Sequence, residues 1–84
     1  MTDMLRDCLH RLPLIAILRG MKPEEAPWVL ETLAGFSILE VPLNSPRPLE
    51  SISYLVRHAP SGVLIGAGTV LTEADVADVA ATGA

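Results

Sequence analysis

The sequence predicts an α/β fold in which a short lead-in helix is followed by three successive βα units. Three observations carry that reading. Short apolar runs recur at Pro13–Leu18, Ile38–Leu43 and Val63–Ile65, each too short for a helix. Stretches with helical spacing of apolar residues separate them. The runs are apolar at almost every position, the pattern of parallel strands covered on both faces rather than of a half-solvated antiparallel sheet. The repeat is about 25 residues, one βα unit per period, and the units divide at 13–35, 36–62 and 63–84, with 1–12 as the lead-in.

Residues 1–12 place Met4, Leu5, Cys8, Leu9 and Leu12 at helical spacing, so they form a short amphipathic helix across one end of the domain. The first strand, Pro13 to Leu18, is expected to be buried on both sides, with Arg19 and Gly20 at its C-terminal end. Helix one opens near Lys22–Glu25, where Pro23 suits a first helical position and Glu24 and Glu25 suit the positive end of the dipole. Ala26, Val29, Leu30 and Leu33 make its buried stripe, Trp28 is expected to pack, and Gly35 stops it. Pro27 deletes a helical hydrogen bond, so either the first turn is bent or the regular helix starts there.

Strand two alternates, with Ile38, Glu40 and Pro42 on one face and Leu39, Val41 and Leu43 on the other. The wholly apolar set meets the helices, so Glu40 points to the opposite side. Ser45 and Pro46 are expected to cap and start helix two, with Leu49, Ile52 and Val56 buried. Strand three, Val63–Ile65, leads into a turn at Gly66-Ala67-Gly68-Thr69. Thr72 caps helix three, with Asp75 completing a capping box and Val76, Val79 and Ala80 as its stripe. Strands that expect cover on both faces, with helices enough for one, give the expectation that the chain is a portion of a larger protein or works with partner chains.

Composition excludes several functions. The net charge is −4 with no basic cluster, which argues against nucleic acid and against anionic membrane surfaces as partners. No apolar run is long enough to span a bilayer. The single cysteine, Cys8, allows no internal disulfide or cysteine zinc cage and suits a reducing cytoplasm. His10 and His58 lack ligand partners at metal spacing and read as solvated helix residues. Lys22, the one lysine, looks too exposed for a Schiff-base amine.

Three polar residues stand at or near the C-terminal ends of the strands, the edge where β/α folds bind ligands: Arg19, Glu40 and Thr69. Two roles fit Glu40, a general acid/base or a structural carboxylate bonded to Arg19 or to a backbone N–H. Arg19 suits bidentate capture of a carboxylate or phosphate and equally a structural ion pair. Gly66–Thr69 could admit an anion to the backbone, but it lacks the third glycine of a dinucleotide fingerprint and the Gly-Lys-Ser/Thr of a P-loop.

The three stretches Leu12-Pro-Leu-Ile-Ala-Ile-Leu-Arg-Gly20, Ile38-Leu-Glu-Val-Pro-Leu-Asn-Ser-Pro46 and Ile65-Gly-Ala-Gly-Thr-Val-Leu71 resemble, in this order and spacing, the phosphogluconate/hydroxyglutarate aldolases. Pro-Leu-Asn-Ser-Pro is most similar to the 2-dehydro-3-deoxy-6-phosphogalactonate branch, and the resemblance runs from residue 12 to 84. It implies that the chain is the N-terminal (βα)3 portion of a TIM (β/α)8 barrel, usually a homotrimer. It implies a class I aldolase that cleaves the phosphorylated keto-deoxy sugar acid to pyruvate and glyceraldehyde 3-phosphate through a lysine Schiff base, without a metal or other cofactor. Glu40 matches the family's proton donor/acceptor, and Arg19 and Thr69 match its substrate-binding positions. The lysine-bearing strand has no counterpart among these 84 residues, so the chain by itself is expected to be inactive. The competing expectations are a non-catalytic β/α fragment that assembles with copies of itself or with a complementary half, and another β/α phosphate- or nucleotide-binding enzyme that uses Gly66–Thr69 as an anion turn.

Overall fold

A computed structural model describes residues 2–11, 14–33 and 35–84. Its elements run α1 (Thr2–Arg11), β1 (Ile15–Ile17), a 3-10 turn (Pro23–Glu25), α2 (Ala26–Thr32), β2 (Ile38–Pro42), α3 (Pro48–His58), β3 (Leu64–Gly68) and α4 (Glu73–Ala81). The strands form one parallel sheet in the order β1-β2-β3. The register pairs Ile17 with Glu40, Glu40 with Gly66, and Pro42 with Gly68. The expected places of Leu12 in the lead-in stripe and of Pro13 at the head of strand one lie outside the described residues.

The core lies between the sheet and the helices that follow its strands. Leu39, Val41 and Ile65 from the sheet meet Ala26 and Val29 of α2, Ile52 and Leu55 of α3, and Met21. Leu43 packs on the same cluster, so the apolar face of β2 meets the helices as the alternation requires. Closing this layer removes several branched side chains from water, each contributing about 1.5–3 kcal/mol. The lead-in helix crosses the opposite end from the ligand edge. Cys8 is fully buried, its thiol donates to the Gly62 carbonyl at 3.5 Å, and Arg11 Nη2 donates to Cys8 Sγ at 3.2 Å and to the same carbonyl at 2.7 Å. Gly62 lies two residues before the third strand, so these bonds seat α1 at the sheet's N-terminal end.

Several expectations are corrected. Strand one is not buried on both faces: Ile15 is 46% and Ile17 62% exposed, and only Ala16 of the strand reaches the core. One layer of helices covers one face. Pro27 is accommodated by a change of helix type, with the first turn 3-10 from Pro23 and the α-helix starting at Ala26, so Pro27 lies in its first turn. Glu25 accepts a hydrogen bond from the Lys22 N–H at 2.9 Å. The helix ends at Thr32, before Gly35, and Trp28 is 64% exposed rather than packed.

Ser45 and Pro46 do not begin helix two. Arg47 occupies the cap and Pro48 the first helical position, because Ser45 is engaged elsewhere. The buried face of that helix is Ser51, Ile52 and Leu55, while Leu49 is exposed. Thr72 does cap the last helix, accepting from the Asp75 N–H at 3.0 Å, but the Asp75 carboxylate reaches the N–H of Leu71 (3.3 Å) rather than of Thr72. Val76 of the expected stripe is exposed, and Val79 is half-buried.

Candidate active site

The three strands deliver their C-terminal ends to one edge, locked there by backbone bonds. Leu18 N–H donates to Glu40 O at 2.8 Å, and Leu43 N–H donates to Gly68 O at 2.8 Å. Arg19 follows β1 by two residues, Glu40 is the central residue of β2, and Thr69 directly follows β3. Arg19 and Thr69 thus flank the strand ends, and Glu40 lies in the middle of the central strand.

Glu40 is half-buried on the sheet face away from the helices. Its seat is Gly68. A Cβ at Gly68 would stand 2.6 Å from Glu40 Oε2 and 2.7 Å from its Cδ, closer than any side chain tolerates. The missing methyl is what lets the carboxylate lie across the end of β3. Gly66, in the same strand and on the same face, differs: a Cβ there would meet nothing within 4 Å. The space beside Glu40 along β3 is therefore open.

Thr69 holds a φ of +56°, a left-handed conformation that is strained for a β-branched residue by roughly 1–3 kcal/mol. Strain of this kind gathers at functional sites, and here it turns the chain sharply out of β3 beside the Glu40 carboxylate. Thr69 is exposed. The glycines before it do not form an anion-cradling turn, because Gly66-Ala67-Gly68 belongs to the strand and pairs with Glu40, Val41 and Pro42.

Arg19 is exposed on the turn after β1 and lines a shallow cavity of about 230 Å³ with Gly20, Met21, Glu25 and Trp28. Among the described residues, the ion pairs join Arg47 to Glu24 and to Glu50; Arg19 does not pair with Glu40. The structural role of Glu40 as a partner of Arg19 is thereby removed, and the guanidinium stays available to a ligand. Lys22 and His10 are exposed, and His58 is an exposed helix residue stacked on Tyr54, with ring centroids 4.2 Å apart. No group of three or more His, Cys, Asp or Glu suited to a metal ion occurs among the described residues.

Two residues of the edge were missed by sequence reasoning. The signal for Gly68 was the i, i+2 spacing of Gly66 and Gly68, which puts both on one strand face, the face of Glu40. Ser45 gave no signal beyond a helix cap, yet its hydroxyl accepts from the Gly20 N–H at 3.1 Å and ties the first loop to the second.

Comparison with known proteins gives the family. The family model "KDPG and KHG aldolase" matches residues 5–84. A probable 2-dehydro-3-deoxy-6-phosphogalactonate aldolase of Rhizobium meliloti is 59% identical over 73 residues, which cover 84% of this chain and 34% of that protein. The 2-dehydro-3-deoxy-6-phosphogalactonate aldolase of Escherichia coli is 47% identical, covering 87% of this chain and 37% of that protein. Among solved structures, KDPG aldolase from Legionella pneumophila, with pyruvate captured as a covalent carbinolamine intermediate, superposes at a TM-score of 0.77 with 36% identity, over 86% of this chain and 35% of that one. The chain thus spans about a third of the length of the curated relatives it matches. The match over residues 5–84, together with these relatives, makes the chain a member of the KDPG and KHG aldolase family.

Proposed function

We propose that these residues supply the proton-transfer part of a class I aldolase acting on 2-dehydro-3-deoxy-6-phosphogalactonate. The observation that carries this is the Glu40 carboxylate, laid over Gly68 on the sheet face opposite the core formed with α2 and α3. In this reading the three βα units are the first part of a (β/α)8 barrel, and that face is its interior. A carbinolamine is the adduct of an amine to a ketone, so the intermediate captured in the Legionella pneumophila enzyme supports lysine chemistry. The lysine belongs to a later strand of the longer enzyme.

Dehydration of the carbinolamine gives an iminium that accepts electrons as the C3–C4 bond breaks. Glyceraldehyde 3-phosphate departs and an enamine of pyruvate remains. Glu40 takes and returns the protons of these steps, including the one delivered to C3. Arg19 holds the substrate carboxylate as a bidentate partner, and Thr69 donates its hydroxyl beside it. Lys22 is exposed and is not the amine. The full enzyme is a cytoplasmic homotrimer, and the 84-residue chain alone does not turn over, since Glu40 has no iminium to serve.

A chimera tests this reading. Residues 1–84 replace the matching segment of the Rhizobium meliloti relative, and cleavage of the sugar acid is measured for the chimera and for the isolated chain. The chimera is expected to release pyruvate and to be trapped by borohydride, while the isolated chain does neither. Turnover by the 84-residue chain, or an inert but folded chimera, overturns the proposal.

A further inference from the structure

Arg19 stands on a turn that the structure ties down from outside. Met21 N–H donates to Leu18 O at 3.2 Å, and Gly20, at the third position, has a φ of +77°. That is a type II turn with Arg19 second and Gly20 third, the position that requires a positive φ. The Gly20 N–H is not used inside the turn. It donates to Ser45 Oγ at 3.1 Å. Ser45 is only 6% exposed, and its own N–H donates to the Pro42 carbonyl at 3.0 Å, so its hydroxyl is held by the end of β2. One loop further out, Arg47 pairs with Glu24, linking the same two connections a second time. Among the described residues the Arg19 side chain has no ion pair to steady it, so the fixity of its turn decides how well it is aimed.

We infer that Ser45 is a positioning residue that acts through Arg19, holding the Arg19–Gly20 peptide against the end of β2 so that the guanidinium is pre-aimed at the substrate's anionic group. This rests on the aldolase reading for the identity of that anion, but the latch itself does not. Pre-aiming removes ordering cost from binding, so its loss shows in KM before it shows in kcat.

Two arms test it. In the 84-residue chain, amide hydrogen exchange at Gly20 is expected to quicken at least tenfold in Ser45→Ala, with Leu39 and Val41 unchanged. In the chimera, Ser45→Ala is expected to raise KM on the order of three- to tenfold, the span of one net hydrogen bond, with kcat within twofold. Ser45→Thr, which keeps the hydroxyl, is expected to restore most of the affinity. In an Arg19→Ala background Ser45→Ala is expected to change KM no further. Full additivity of the two substitutions, or unchanged Gly20 exchange, overturns the inference. A wild-type chimera without activity contradicts the aldolase reading instead, and the Gly20 exchange rate then judges the latch alone.

Discussion

The two faces of this small sheet are built to opposite rules. Toward the helices, Leu39, Val41, Ile52, Leu55 and Ile65 close into a dry layer with no titratable group among them. Away from the helices, the face carries Ile15 and Ile17 open to solvent, the buried Ile38 and Pro42, two glycines, and one half-buried carboxylate. In the proposed reading, strand alternation thereby segregates stability from chemistry. A residue shifted by one position along β2 would change from core to reactive group.

Substitutions on the two faces should therefore separate cleanly. The largest effect is expected on the sealed face: Leu39→Ala should lower unfolding free energy by about 2–5 kcal/mol, as read from urea titration. A loss below that range would mean the layer is looser than its burial indicates. On the reactive face, Gly68→Ala should leave stability nearly unchanged, because the flexible Glu40 carboxylate can swing away from the new methyl. It should nevertheless cost roughly 100-fold in kcat of the chimera, the scale of a 1 Å misplacement. Gly66→Ala is the control, since its methyl enters open space. Equal effects at the two glycines would break the comparison.

Ile17 sharpens it further. In the 84-residue chain Ile17→Ala should cost no more than about 0.5 kcal/mol, the value for an exposed site. In the chimera the same change should cost about 2–4 kcal/mol, if that face becomes a covered interior. The smallest effect belongs to the loop clamp. The hydrogen bond from Arg47 holds the Glu24 carboxyl below the usual glutamate range. A depressed acid contributes stability above its unfolded pKa and loses it as pH falls through the folded one. The difference in urea midpoint between the native chain and Arg47→Ala should thus shrink on acidification through that range, and this exposed pair should do little else.

Much of this architecture was legible because it rests on local periodicity. The period-2 pattern of Ile38–Pro42 placed Glu40 opposite the helices, and the Thr72 cap located the last helix start. Arg19 and Thr69, nominated beside strand ends, stand just past β1 and β3, while Glu40, nominated from within strand two, is the central residue of β2. What failed depends on tertiary partners. Ser45 looks like a helix cap in sequence, but Gly20, 25 residues away, competes for its hydroxyl and moves the helix start to Pro48. The glycines after Ile65 look like a turn until pairing with β2 shows them to be strand. Trp28 and Ile17 are apolar and yet exposed, because burial depends on how many layers cover a face.

The central claim is that the Glu40 carboxylate moves the proton at C3 of the bound pyruvyl group. Its most direct test is the exchange of pyruvate methyl hydrogens with D2O, followed by NMR in the chimera and in its Glu40→Gln variant. The account predicts that exchange falls at least 100-fold while borohydride still traps pyruvate on the protein. Exchange at the unsubstituted rate, with the carboxylate gone, would contradict it.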